Sequence, residues 1–525
     1  MRGTMDSAAP SVTTRAQVPA TAGPREWLGL AVLTLPVLLI AVDMTVLGFA
    51  VPYLSADLAP TGTQLLWIVD LYSFVLAGLL VTMGTLGDRI GRRRLLMIGA
   101  AGFGAASLLA ALAPSAEVLI AARALLGLAG ATLMPSTLSL IRNLFLDRRQ
   151  RLLAIAAWAS MFSAGSALGP LVGGWLLEHF YWGSVFLINL PVMALILVLT
   201  PMLVPESRDP APGRYDLPSA ALSLLAVLPV VYGVKKLAEG GSPLVAAASV
   251  AVGAAVGYVF VRRQLRLPDP MIDVRLFRNR AFGVAVATNL MVVFAMVSAL
   301  FFLTQYLQLV LGMSPIRAGL VLLPGIVLSV AAHFVAVAVA RRLSMGAAIL
   351  TGLALAAAGF AVFTQLPLAG GTLLVAGGFA AISAGVGLSD TLTNDAIMAA
   401  APPSRAGAAA AISETAYELG GALGVAVLGS VLTAVYRTLL TAPDGVSEPA
   451  LDAARETLGG AVTAAERLPS GEAAALMDAA RLAFTEGIHV TSAIAAVIVL
   501  CAAVQAGLLL RGVGGRSAPG RSGDH

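Results

Sequence analysis

The chain reads as an all-α membrane protein of fourteen transmembrane helices, and three observations carry that reading. Its 525 residues are 58% hydrophobic and only 12% charged, where a soluble domain carries about 25% charged residues. Apolar segments of about 20 residues, the length that crosses a bilayer, recur along the whole chain between Arg, Gly or Pro clusters. The loops between them alternate in charge. Of the 33 Lys and Arg residues, 25 fall on one side of that topology and 7 on the other, with Arg123 inside a span. The positive-inside rule therefore puts the arginine-rich loops and both termini in the cytoplasm. This asymmetry accounts for the basic balance without nucleic acid.

The spans are predicted to start near Leu28, Leu65, Leu95, Glu117, Leu152, Val185, Leu217, Leu244, Phe282, Ala318, Gly346, Thr372, Ala408 and Thr485. Residues 1–27 are polar and Pro/Ala-rich and are expected to form a cytoplasmic tail. The apolar run that follows is too long for a signal-peptide core and is kept as the first span. Residues 28–204 hold spans one to six, and 205–281 hold spans seven and eight with flanking cytoplasmic loops. Residues 282–511 hold the last six, and 512–525 form a second tail. The largest loop, 441–482, falls outside and contains Ala/Glu/Arg segments expected to form short surface helices, as a cap or a spacer. The single cysteine, Cys501, excludes an intrachain disulfide.

Acids inside these spans carry the functional argument. Asp43 lies in the apolar stretch 28–51, where a carboxylate costs about 2.5–3.5 kcal/mol and marks a functional position. Asp70, Asp390, Asp395, Glu414 and Glu418 also fall in or at the ends of spans. Glu414 and Glu418 are four apart and share a helical face. Arg123 needs a partner or water at its depth. Asp390 and Asp395 fall towards the cytoplasmic end of the twelfth span, where water access favours a structural role. His333 reads as a satisfied polar residue. Several intramembrane acids without a soluble catalytic domain point to a proton-coupled transporter rather than an enzyme. Four histidines and short loops offer no catalytic constellation. Lys235 and Lys236, the only lysines, lack the glycines of a phosphate-cradling loop, which excludes ATP drive. No cofactor or metal is expected.

Two glycine patterns and three span segments carry a family resemblance. The turn after span two reads Gly84-Thr-Leu-Gly-Asp88-Arg89-Ile-Gly91-Arg92-Arg93-Arg94. It resembles the signature loop of the major facilitator superfamily, in which the acid and arginines lock the cytoplasmic gate. Its counterpart in the other half, residues 340–343, is a degenerate echo. Span five carries Gly165-Ser-Ala-Leu-Gly169-Pro170-Leu-Val-Gly173-Gly174, a smooth face for close helix approach with a bend at Pro170. It is similar to the antiporter motif of that superfamily's exporters. The segments Val42-Asp43-Met-Thr45-Val46, Trp67-Ile-Val-Asp70-Leu-Tyr72 and Ile412-Ser-Glu414-Thr415-Ala-Tyr417-Glu418 resemble fourteen-helix drug:proton antiporters, especially the quaternary-ammonium exporters. The sequence departs from that pattern at Arg123-Ala-Leu-Leu-Gly127, where the family has Gln before Gly. It also departs near Ser329, where some relatives carry an acid linked with dications.

The resemblance implies a major facilitator fold, two six-helix bundles plus two inserted helices, with substrate between the bundles. It implies export of lipophilic, cationic drugs from the bacterial cytoplasm by a chain working as a monomer in the inner membrane. Its partners are then small lipophilic substrates, protons and the bilayer. Asp43, Glu414, Glu418, Asp70 and Arg123 are the expected proton-coupling and cation-binding residues. The expected gate is Gly84, Asp88, Arg89, Gly91, Arg92 and Arg93. Cation–π contacts make Trp67, Tyr72, Trp158, Phe162, Phe294, Phe301, Phe302 and Tyr306 candidate wall residues. The rival readings are a same-fold exporter of one antibiotic or metabolite and a proton symporter for nutrient uptake.

Overall fold

The computed structural model describes residues 21–58, 60, 62–208, 216–238, 241–268, 270, 274–402, 406–441 and 446–510. Within its helices, the side chains of Asp70 and Pro170 are among those outside the described set, as are most of both predicted tails. The first helix, α1 (Pro24–Leu58), begins inside the expected tail. Pro24 lacks the amide that a helix start leaves unpaired, and Glu26 accepts a 2.7 Å hydrogen bond from the Gly23 amide.

The chain continues through α2 (Gly62–Ile90), α3 (Arg92–Ala111), α4 (Ala116–Leu144) and α5 (Arg148–His179). The sixth predicted span is the short α6 (Ser184–Leu187) running into α7 (Asn189–Leu203). Next come α8 (Leu217–Ala238), α9 (Pro243–Arg266), α10 (Arg280–Gln305), α11 (Pro315–Arg342), α12 (Met345–Phe363), α13 (Thr372–Ala400) and α14 (Ala406–Leu439). Two short helices, α15 (Glu448–Glu456) and α16 (Leu458–Ala465), lie in the predicted loop 441–482, and α17 (Ser470–Leu509) begins inside that loop, ahead of the predicted start at Thr485.

Among the described residues, 12 helices are long and apolar enough to cross a membrane. Two predicted spans are not among them. In α5, residues 167, 170 and 171 lie outside the described set and interrupt the stretch that follows Arg151. In α8 the described apolar stretch is Pro218–Val230, with 217 and 231 outside the described set. Length and composition thus give twelve spans among the described residues, while helices stand at all fourteen predicted places.

In the first half α1 packs on α5, α2 on α4, and α3 on α4 and α7. In the second half α10 packs on α14, α11 on α13, and α12 on α13 and α17. The halves meet along α2–α14, α5–α11, α4–α14 and α5–α13. Lipid offers no hydrophobic gain for joining helices, so small residues and close contacts hold these crossings together. Helices α8 and α9 pack on each other, and α8 also lies against α2 and α14. Arg263 joins the pair through a 2.9 Å ion pair with Asp216. Partial burial pushes the Asp216 carboxyl up, but hydrogen bonds from Arg263 and Ser219 outweigh this and hold it below the usual range.

Candidate functional site

The arginine-rich end of the interface between the halves is closed by charge. Both carboxylate oxygens of Asp88 accept from the start of α14, one from the Gly407 amide at 2.9 Å and the other from the Ala408 amide at 3.1 Å. These amides have no partner within α14, and the positive end of the helix suits a carboxylate. Arg92, buried, pairs with the same carboxylate at 2.7 Å and donates to the Ser207 hydroxyl at 2.8 Å. Gly84 lets α2 touch α14 one turn earlier, for a Cβ there would stand 2.5 Å from the Gly407 carbonyl oxygen. Gly91 takes φ 112°, a conformation that favours glycine, at the turn into α3. Glu206 then accepts from the Arg93 and Arg94 amides, and the Arg93 side chain reaches the Val204 carbonyl. Arg89 lies half-buried on the last turn of α2.

A second closure was not placed in the gate by sequence. Asp395 on α13, expected near water, is fully buried. Arg151 of α5 pairs with it at 3.0 Å and Arg148 at 3.8 Å. Arg142 of α4 donates to the Ala401 carbonyl at 2.7 Å. Asp395 and Arg151 lie 244 residues apart in the chain, so only the tertiary fold reveals the pair.

Asp43 and Arg123 form a buried ion pair at 3.0 Å, with side chains 3% and 2% exposed. Arg123 also donates to the Ile68 and Val69 carbonyls, and its guanidinium lies 4.6 Å from the Tyr72 ring centroid. The fork geometry of arginine suits this fan of acceptors. The Asp43 carboxylate is thus engaged by Arg123, and its neighbour Met44 lines the large cavity described next.

Two cavities lie between the halves, and they share the wall residues Phe162, Val293, Met296 and Tyr417. The larger holds about 610 Å³ and extends to Tyr436, Thr457 and Leu458, away from the closed end. Glu418 faces it, amid Met44, Phe301, Phe302 and Leu300. The smaller holds about 50 Å³ and is lined by Glu414, Asp390, His333, Ser329, Asn289 and Trp158, among others. Glu414 and Glu418, expected as interchangeable, therefore border different spaces.

Of the expected aromatic wall, Trp158, Phe162, Phe301 and Phe302 line a cavity. Four do not, and each is turned to another partner. Trp67 is 40% exposed and packs edge-on against Phe74. Tyr72 lies under Arg123, Tyr306 donates to the Pro367 carbonyl, and Phe294 packs at the α10–α14 crossing beside Gly424. Met44, Met296 and Tyr417 belong in the wall list and were missed, the methionines because flexible apolar side chains in a span carry no distinguishing signal. Along α5, Gly165 meets the Leu38 carbonyl, Gly169 meets Thr45 and Gly173 meets Val46, so this face packs on α1. Among the described residues nothing lies within 4 Å of a Cβ at Gly174. The side chains of Asp70 and Pro170 lie outside the described residues.

Comparison with known proteins agrees with this geometry. The family description "Major Facilitator Superfamily" matches residues 33–425. Over 487 residues the chain is 51% identical to the "Multidrug efflux pump LfrA" of Mycolicibacterium smegmatis, covering 93% of this chain and 97% of that protein. It is 40% identical to the "Methyl viologen resistance protein SmvA" of Salmonella typhimurium, covering 88% and 93% of the two chains. Among solved structures, the human organic anion transporter MFSD10 (TETRAN) superposes with a TM-score of 0.59 at 16% identity, covering 92% of this chain and all of the other. That likeness shows the fold alone. A family match over most of the chain and a relative half identical along nearly all of it establish that this protein belongs to the major facilitator superfamily.

Proposed function

We propose that the chain is a proton-coupled antiporter that exports lipophilic cations across the bacterial cytoplasmic membrane by alternating access. The observation that carries this reading is Glu418, one carboxylate on the wall of an apolar cavity of about 610 Å³ between the two halves. That volume lies within the roughly 300–1,000 Å³ typical of small-molecule sites. Apolar and aromatic walls with a single acid suit a greasy cation. The relatives' names, a multidrug efflux pump and a methyl viologen resistance protein, point the same way.

With the arginine-rich end taken as cytoplasmic, Asp88–α14 and Asp395–Arg151 are the inner gate in its closed form, and the large cavity belongs to the outward-facing state. Residues 28–204 and 282–511 are then the two rocking bodies around a midplane site. A carboxylate that holds either a cation or a proton, never both, makes drug and proton compete for one group. The outward state exposes Glu418 to external protons, which displace the drug. Inward, drug displaces the proton. Asp43 and Arg123 form the adjacent charge relay, and no cofactor enters the scheme.

The test is ethidium transport in proteoliposomes under an imposed pH gradient. Uphill movement towards the acidic side, abolished by collapsing the gradient, is expected. Movement in the same direction as the protons would replace antiport with symport. Transport restricted to one antibiotic would replace the broad drug range with a single cargo.

A further inference from the structure

The small cavity adjoins the drug-sized one and shares Phe162 and Tyr417 with it as wall. At about 50 Å³ it holds a few waters and no drug. Its charged and titratable lining, among the described residues, is Asp390 from α13, Glu414 and Tyr417 from α14, and His333 from α11. The lining residues from α4, α5 and α10 carry no charge. His333 Nδ1 is engaged at 3.1 Å by the Thr391 hydroxyl. Glu414 is 7% exposed and, among the described residues, has neither a hydrogen bond nor a cation at its carboxylate. Asp390 has one polar side-chain partner, the Asn394 amide at 2.9 Å.

That amide belongs to a relay. Asn289 donates to the Ser413 hydroxyl at 3.2 Å, Ser413 donates to the Asn394 carbonyl oxygen at 2.8 Å, and Asn394 donates to Asp390. The relay fixes Asp390 from α10, α14 and α13 together. The residue after Asn394 is Asp395, which closes the arginine-rich end through Arg151. Between the compartments stand Phe162 and Tyr417, their rings edge to face with centroids 5.3 Å apart. A buried acid and a half-buried one with no counter-cation among the described residues, room for water and an aromatic partition towards the drug cavity are what a proton-only site requires. Two carboxylates lining one cavity that holds only a few waters repel each other, which favours keeping one of them protonated.

We propose that Asp390 and Glu414 form a proton-only site that carries one proton per cycle without touching the drug, and that the Phe162–Tyr417 ring pair keeps the drug out of it. The inference rests on the antiport reading above. A proton from external water binds a carboxylate oxygen of this pair in the outward state and leaves to cytoplasmic water once Asp395 and Arg151 part. The exchange at Glu418 of one proton for one monovalent cation moves no net charge. This additional proton makes the cycle electrogenic.

The test uses the full chain in proteoliposomes, with ethidium as the monovalent probe and a valinomycin-set potassium potential at fixed pH gradient. Wild-type accumulation is expected to change about tenfold for about 59 mV of potential. Asp390→Asn and Glu414→Gln are each expected to flatten that response while the pH gradient still drives accumulation. Asp390→Glu is expected to restore it. Should Asp390→Asn fail to purify as a monodisperse protein, Glu414→Gln beside Asp390→Glu carries the same contrast. A wild-type potential response retained in Glu414→Gln and Asp390→Asn overturns the proposal. A wild type driven by pH but indifferent to potential overturns it and leaves antiport standing. A wild type indifferent to the pH gradient overturns both.

Discussion

Glu414 and Glu418 stand one helical turn apart on α14, yet they border different cavities. Tyr417 between them meets the Phe162 ring edge-on. The two acids are therefore expected to separate in their effects on drug binding. Glu418→Gln removes the only carboxylate lining the larger cavity among the described residues. A charge pair about 8–15 Å apart contributes about 1–2 kcal/mol at an effective dielectric of about 20, or about 5–30-fold in Kd. Ethidium fluorescence polarisation on purified protein should show that loss for Glu418→Gln and a smaller one for Glu414→Gln. An equal or larger loss for Glu414→Gln would sink the assignment.

The ion pair between Asp43 and Arg123 gives a second expectation. Arg123→Ala leaves a buried carboxylate without its cation, a change that costs about 3–5 kcal/mol. Asp43→Asn in the same chain should recover most of that loss, because the uncompensated charge goes with it. Arg123→Lys should not substitute, since one ammonium does not reach the Asp43, Ile68 and Val69 acceptors together. Melting of the detergent-purified variants, followed by intrinsic fluorescence, checks the order. A double variant no more stable than Arg123→Ala alone would refute the pairing account.

What the sequence made legible divides along a physical line. Helix positions follow from apolar length, so α1 to α5 and α8 to α14 lie where the hydropathy placed them. The Asp88 pairing was legible because its loop spacing is local: the acid, the glycines and Arg92 all lie within residues 84–92. The burial of Asp395 was not legible because its partner is on α5, and no local pattern encodes a contact across the two halves. The same holds for Glu414 and Glu418. Helical periodicity puts them on one face, and it says nothing of an aromatic ring from another helix that divides the space in front of that face.

The lock between α5 and α13 should respond as a coupled pair. Arg151→Ala leaves Asp395 with only the more distant and half-exposed Arg148, and that deficit exists only while the halves are closed at this end. Spin labels on the first turn of α5 and the last turn of α13 should therefore report a shift towards the longer distance. Asp395→Asn added to Arg151→Ala should reverse part of that shift. Effects of the two single changes that simply sum would show the side chains to be energetically independent.

Gly84 is where closure depends on the absence of a side chain. A Cβ at this position would meet the Gly407 carbonyl oxygen at 2.5 Å and the Ala411 methyl at 2.6 Å. The first of these is backbone, which does not swing aside as a long side chain does. Gly84→Val must therefore push α2 from α14 at the end where Asp88 reaches the Gly407 and Ala408 amides. Losing that reach unpairs helix-start amides and strands the Asp88–Arg92 pair, so the closed state is penalised and the open one is not. On a Cys501→Ser background, Ala408→Cys should label slowly with an impermeant maleimide in inside-out vesicles, since Ala408 is buried. Adding Gly84→Val should raise the labelling rate about tenfold, the change produced by about 1.4 kcal/mol of population shift. Gly84→Ala should give a smaller increase in the same direction. An unchanged rate in Gly84→Val would mean that the contact with α14 does not limit opening at this end.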